Sequence, residues 1–152
     1  MNPIRKTLGM TAALGLVLAA GAATGQEPRA EDARGDLAGL QGTWVRELNG
    51  KTYVVNFNGD RFTTMFEFAE GSSAASGTIT IDPTRKPGHM DWKFVDGTGR
   101  AEKLKGKSAQ TIYRLDGDTF RFCARRLDGR PEDFPDREGV DEYIYLVFKR
   151  AK

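Results

Sequence analysis

From Gly42 onward, apolar and polar residues alternate with a period of two. Tyr53, Val55 and Phe57 alternate with Val54 and Asn56, and Phe62, Thr64, Phe66 and Phe68 with Arg61, Thr63, Met65 and Glu67. The same rhythm runs through Ile79 and Ile81, through Met90, Trp92 and Phe94, through Phe120, Phe122 and Ala124, and through Ile144, Leu146 and Phe148. Alternation of this kind marks strands with one buried and one wetter face. It predicts eight strands: Thr43–Leu48, Tyr53–Phe57, Arg61–Phe68, Gly77–Ile81, His89–Val95, Ala109–Leu115, Thr119–Arg125 and Glu142–Lys149. Asn49-Gly50, Asn58-Gly59 and Asp116-Gly117 fall between runs. These pairs accept the positive φ of tight hairpins and so impose antiparallel neighbours. No segment after Gln41 has the length and 3.6-residue period of a substantial helix. The expectation is all-β: an eight-stranded antiparallel up-and-down barrel, whose closure removes exposed edges. A β-sandwich is the alternative.

Asp36-Leu37-Ala38-Gly39-Leu40-Gln41 reads as a short N-terminal helical turn, capped by Asp36, with Leu37 and Leu40 on one face. Placed just before the first strand, it is suited to plug one end of a barrel. Residues 96–108 form a polar stretch with a basic cluster, and residues 127–141 a second long connection containing Arg130-Pro131 and Phe134-Pro135. Both are candidate rims of a binding mouth, or solvated connectors.

The N-terminus brings in the compartment. Arg5 and Lys6 precede an apolar or small stretch from Thr7 to Ala23, and Ala23-Thr24-Gly25 fits a cleavage site before Gln26. That is the pattern of a secretory signal, and the run falls short of the ~20 residues of a spanning helix. The organisation expected is a signal peptide over 1–25, a flexible leader over 26–35 and one barrel domain over 36–152. The protein is then exported, to periplasm or extracellular space, with no membrane span after signal removal. The chain has 23 Lys+Arg against 21 Asp+Glu. Loss of Arg5 and Lys6 with the signal leaves 21 of each, so there is no electrostatic case for nucleic acid. Cys123 is the only cysteine, which excludes an internal disulfide. It reads as a packed small hydrophobe or a reactive thiol.

Gly42-Thr43-Trp44 opens the first strand and Lys149-Arg150 closes the last. This resembles the signature shared by lipocalins and their relatives, a Gly-x-Trp with a basic residue of the final strand across the indole. Trp44 and Arg150 would close the barrel through that cation–π contact, worth about 0.5–2 kcal/mol. A broader resemblance runs through Asp36–Trp44, Ile81–Pro87, Met90 and Trp92, Ile112–Phe120, Cys123, Arg130-Pro131 with Phe134, and Phe148-Lys149-Arg150. Together these blocks are similar to a planctomycete-type family of exported, uncharacterised domains with a lipocalin-like (calycin) barrel. The chain departs from that pattern at Ala109-Gln110-Thr111, before Ile112-Tyr113. The resemblance implies fold and export, and it carries no catalytic residues.

The chemistry is sparse. His89 is the only histidine, and with one Cys there is no cluster to ligate zinc. Asp116-Gly117-Asp118 lacks the rest of a calcium loop, and Asp96-Gly97-Thr98-Gly99 lacks the Lys and the helix of a phosphate loop. No Gly-x-Ser-x-Gly elbow occurs, so no catalytic residue, metal or cofactor is assigned and an enzyme ranks last. The leading expectation is a small apolar or amphipathic ligand in the barrel mouth, with Arg121, Arg125, Arg130 and Phe134 near the rim. The alternative is a filled barrel serving as a protein-interaction or structural domain of the cell envelope. The partner is accordingly a small molecule or an envelope protein.

Overall fold

The structure is a computed structural model that describes residues 30–152. The signal peptide expected over 1–25 lies outside the described residues. Helix α1 (Ala30–Leu40) leads into eight strands: β1 (Gly42–Leu48), β2 (Lys51–Asn58), β3 (Arg61–Phe68), β4 (Gly71–Asp82), β5 (Gly88–Gly97), β6 (Ser108–Asp116), β7 (Thr119–Arg125) and β8 (Tyr143–Arg150). Each strand pairs antiparallel with the next and β8 returns to β1, giving a closed, lipocalin-like up-and-down barrel.

The hairpins follow from turn chemistry. Asn49 and Gly50 both take positive φ between Leu48 and Lys51, as a type I′ turn requires. Gly59 and Gly117 take positive φ at the first central position of the β2–β3 and β6–β7 turns, which connect Asn58 to Arg61 and Asp116 to Thr119.

Two elements exceed the sequence expectation. The helix begins at Ala30, inside the segment read as a flexible leader. Ala33, Leu37, Ala38 and Leu40 are good helix formers, and they carry the helix to its end at Leu40. Strand β4 begins at Gly71 rather than Gly77. Ser72-Ser73-Ala74-Ala75-Ser76 shows no apolar alternation because its inward positions are small: Ser73 and Ala75 face Phe66 and Thr64 across the ladder. The β4–β5 ladder then slips between Ser76 and Gly77. A side chain at Gly77 would put its Cβ 1.8 Å from the Lys93 carbonyl oxygen, so glycine permits this close approach.

One half of the barrel is packed solid. Trp44, Phe57, Phe62, Trp92, Phe120 and Phe148 are all buried. Their rings interlock, edge-on in Phe62–Trp92 (4.6 Å between centroids) and Phe57–Phe120 (5.7 Å) and stacked in Phe120–Phe148 (5.9 Å). Each such burial stabilises by about 1.5–3 kcal/mol. Helix α1 caps this end with buried Leu40, and Tyr113 Oη donates to Asp36 at 2.6 Å. Gln41 ties the cap to the β2–β3 turn: its Nε2 donates to the Gly59 carbonyl (3.0 Å) and its Oε1 accepts the Gly59 N–H (2.6 Å).

Candidate functional site

The opposite end carries the β1–β2 and β3–β4 turns, a short 3₁₀ helix (Gly99–Leu104) between β5 and β6, and the long β7–β8 connection. The 3₁₀ helix roofs one side: its Arg100 N–H donates to Ser73 Oγ (2.9 Å), and the Arg100 guanidinium lies 4.8 Å over the Phe68 ring. Beneath this end the inward register places Tyr53, Phe66, Phe94, Phe122 and Leu146, each half-buried. The barrel is therefore solid at the helix end and aromatic-lined but less fully covered at the other.

Arg46 and Thr64 are among the polar side chains on the inward register of that half, with Ser73. Arg46 follows Trp44 by two residues on β1, and Thr64 sits opposite Val55 on β3. They are only 8% and 6% exposed. Arg46 Nε and Thr64 Oγ1 are buried without a hydrogen-bond partner among the described residues. A buried polar group left unpaired costs about 1–3 kcal/mol, so two in one lumen call for a reason.

The other two nitrogens of the Arg46 guanidinium have a partner. Its Nη1 and Nη2 both donate to the Glu138 carboxylate, the second at 2.6 Å. The register explains how Glu138 reaches it. The β1–β8 ladder contains only Trp44–Arg150 and Val45–Lys149, whereas β1 and β2 pair along their whole length. Beyond Val45 the seam parts, and Glu138, carried by the β7–β8 loop, fills it. The hydrogen bond from Arg46 holds the Glu138 carboxyl below the usual carboxylate range against its desolvation, with the Val147 backbone N–H adding to the effect. The same hydrogen bond raises Arg46.

The residues expected at the rim lie outside the barrel. Arg121 is flanked by Phe120 and Phe122, which take the inward positions, so it faces outward and pairs with Asp116 at 2.7 Å. Arg130 donates to the Thr111 carbonyl (2.6 Å) and to Asp91 (2.5 Å), pinning the β7–β8 loop to the outer surface. Phe134 lies on the same surface, its ring 5.4 Å from Tyr145 and 5.5 Å from the Arg114 guanidinium. Arg125 and Phe134 do meet, in an outer cleft of about 400 Å³ that Pro135 and Tyr143 also line. Strand alternation and loop docking, not proximity in sequence, decide on which side of the sheet each of these side chains lies. Trp44 and Arg150 stand as cross-strand partners with the guanidinium 4.2 Å over the indole. The signal in the sequence for Arg46 is a charge on the inward register set by Trp44, two residues before it.

The loop also buries Cys123. This residue faces outward between Ile112 and Tyr145, yet it is inaccessible, on the surface where Arg130 and Phe134 dock the β7–β8 loop. Burial pushes its thiol up to about 11. His89 lies two strands away on the same outer row, its imidazole lowered by desolvation and by Arg130 and Arg85. Among the described residues, no group of three His, Cys, Asp or Glu converges on a metal position. Comparison with protein-family models, with curated proteins and with solved structures finds no match.

Proposed function

We propose that this chain is an exported, non-enzymatic lipocalin-like domain that holds a small amphipathic molecule in the open end of its barrel. The observation that carries this reading is the pair of buried, inward, unpartnered polar atoms, Arg46 Nε and Thr64 Oγ1, among half-buried aromatics. An apolar body against Phe66, Phe94 and Phe122, with one polar end at Arg46 and Thr64, would satisfy both sets of groups at once. The raised Cys123 thiol argues against a thiolate nucleophile, since reactive cysteines are lowered rather than raised. Export rests on the charged, apolar and small-residue succession of the first 25 residues. The planctomycete-type resemblance, which also implies export, supports the same reading.

A second reading has its own support. Val45, Val54, Met65 and Ala74 form an apolar row across the outer surface of β1–β4, with Met65 half exposed. Such a row suits contact with an envelope protein.

Native mass spectrometry of the protein purified from its own source separates the two. A bound small mass lost on denaturation is expected. A stable second polypeptide with no small mass would overturn the first reading in favour of the second.

A further inference from the structure

Resting on the ligand-binding reading, we propose that the lumen selects an uncharged ligand whose polar end is a hydroxyl or carbonyl, and that Glu138 enforces this choice. A buried guanidinium ordinarily invites a carboxylate, because its fork of donors matches two oxygens. Here that position is already taken by Glu138, which engages both Nη atoms. Arg46 and Glu138 together are neutral. A ligand carboxylate brought beside them would add an uncompensated negative charge in a desolvated lumen, next to Glu138. A neutral oxygen carries no such penalty. It accepts from Arg46 Nε–H, the one guanidinium nitrogen that Glu138 leaves without a partner, and it exchanges a hydrogen bond with Thr64 Oγ1.

Arg46 and Thr64 share the inward face of the same half of the barrel. Both face inward, on strands that flank β2, with Val55 and Tyr53 between them in the ladder. Each is more than nine-tenths buried. Glu138, by contrast, enters from the loop at the parted seam, so it neutralises Arg46 without occupying Nε. Selection against acids is then a property of a loop residue outside the lumen's strands.

The test uses two ligands that share an apolar chain, decanol and decanoate, each displacing a neutral naphthylamine probe near neutral pH. The wild-type protein is expected to bind decanol at least about tenfold more tightly, equivalent to about 1.4 kcal/mol. Glu138→Gln frees the guanidinium charge and should reverse the preference toward decanoate. Thr64→Val preserves shape and charge, and should weaken decanol by about tenfold while sparing the probe. It keeps the proposal testable if Glu138→Gln does not fold. Equal affinities, a wild-type preference for decanoate, or full decanol affinity in Thr64→Val would overturn the selection by Glu138 and leave ligand binding standing. Failure of the probe itself to bind would overturn the ligand-binding reading as well.

Discussion

The guanidinium of Arg150 lies 4.2 Å over the Trp44 ring while its Nη1 and Nη2 donate to the carbonyls of Gln41 (2.8 Å) and Gly39 (2.7 Å). One side chain thus covers the indole, satisfies carbonyl groups at the C-terminal end of α1 and joins the last strand to the first. The indole N–H donates to the Leu40 carbonyl at 2.7 Å, so both residues hold the cap to the barrel.

Removing either partner should loosen cap and closure together. Trp44→Ala should cost about 3–5 kcal/mol, as large-to-small changes of buried aromatics do. Arg150→Ala should cost about 1–3 kcal/mol through lost hydrogen bonds to a charged donor. Denaturant unfolding measures both. A loss below about 1 kcal/mol for Trp44→Ala would contradict its place in the core.

The Arg46–Glu138 pair makes stability pH-dependent. Glu138 is lowered in the folded protein, so its contribution is fully present above the unfolded carboxylate range. It is lost as pH falls through the folded value. Glu138→Gln should therefore flatten part of the acid limb of stability against pH, while Glu138→Ala should cost about 1–3 kcal/mol near neutrality by stranding a buried charge. Arg46→Met should be milder than Glu138→Ala, because it removes the stranded group. Unfolding curves across the acid range check the order.

Cys123 should be silent toward thiol reagents in the native state. It is wholly buried beneath the β7–β8 loop and its thiol is pushed up to about 11, so near neutrality it is neither accessible nor ionised. Labelling should proceed only as fast as the protein opens, and to completion in denaturant. Rapid stoichiometric labelling of folded protein would show that the loop does not cover it.

Gly77→Ala should destabilise by about 1–3 kcal/mol or more, the usual scale of overpacking. The new methyl would stand 1.8 Å from the Lys93 carbonyl oxygen and 3.0 Å from the Phe62 ring, and backbone cannot move aside as a side chain can. Gly35→Ala, where a Cβ meets nothing within 4 Å, serves as the mild control.

The alternation from Tyr53 to Phe148 made the barrel legible, since inward aromatics recur every second residue on most strands. The first half of β4 was silent because its inward residues are Ser73 and Ala75, whose smallness answers the bulk of Phe66 rather than displaying a pattern. The site was less legible. Arg121, Arg125 and Arg130 are basic residues near a long loop, but alternation and docking turn them outward. Arg46 showed its inward position by its spacing from Trp44. Its pairing with Glu138, 92 residues away, depends on where the β1–β8 ladder stops, and no local pattern encodes that.

Closure by β8 also sets an order of assembly. Gly39 waits across 111 residues of chain for the guanidinium that binds its carbonyl. Until β8 has been made, β1 and β7 are bare sheet edges flanking an otherwise sequential meander, open to pairing with other chains. Contacts this remote slow folding, so nascent or truncated forms lacking β8 are the species that need protection from aggregation.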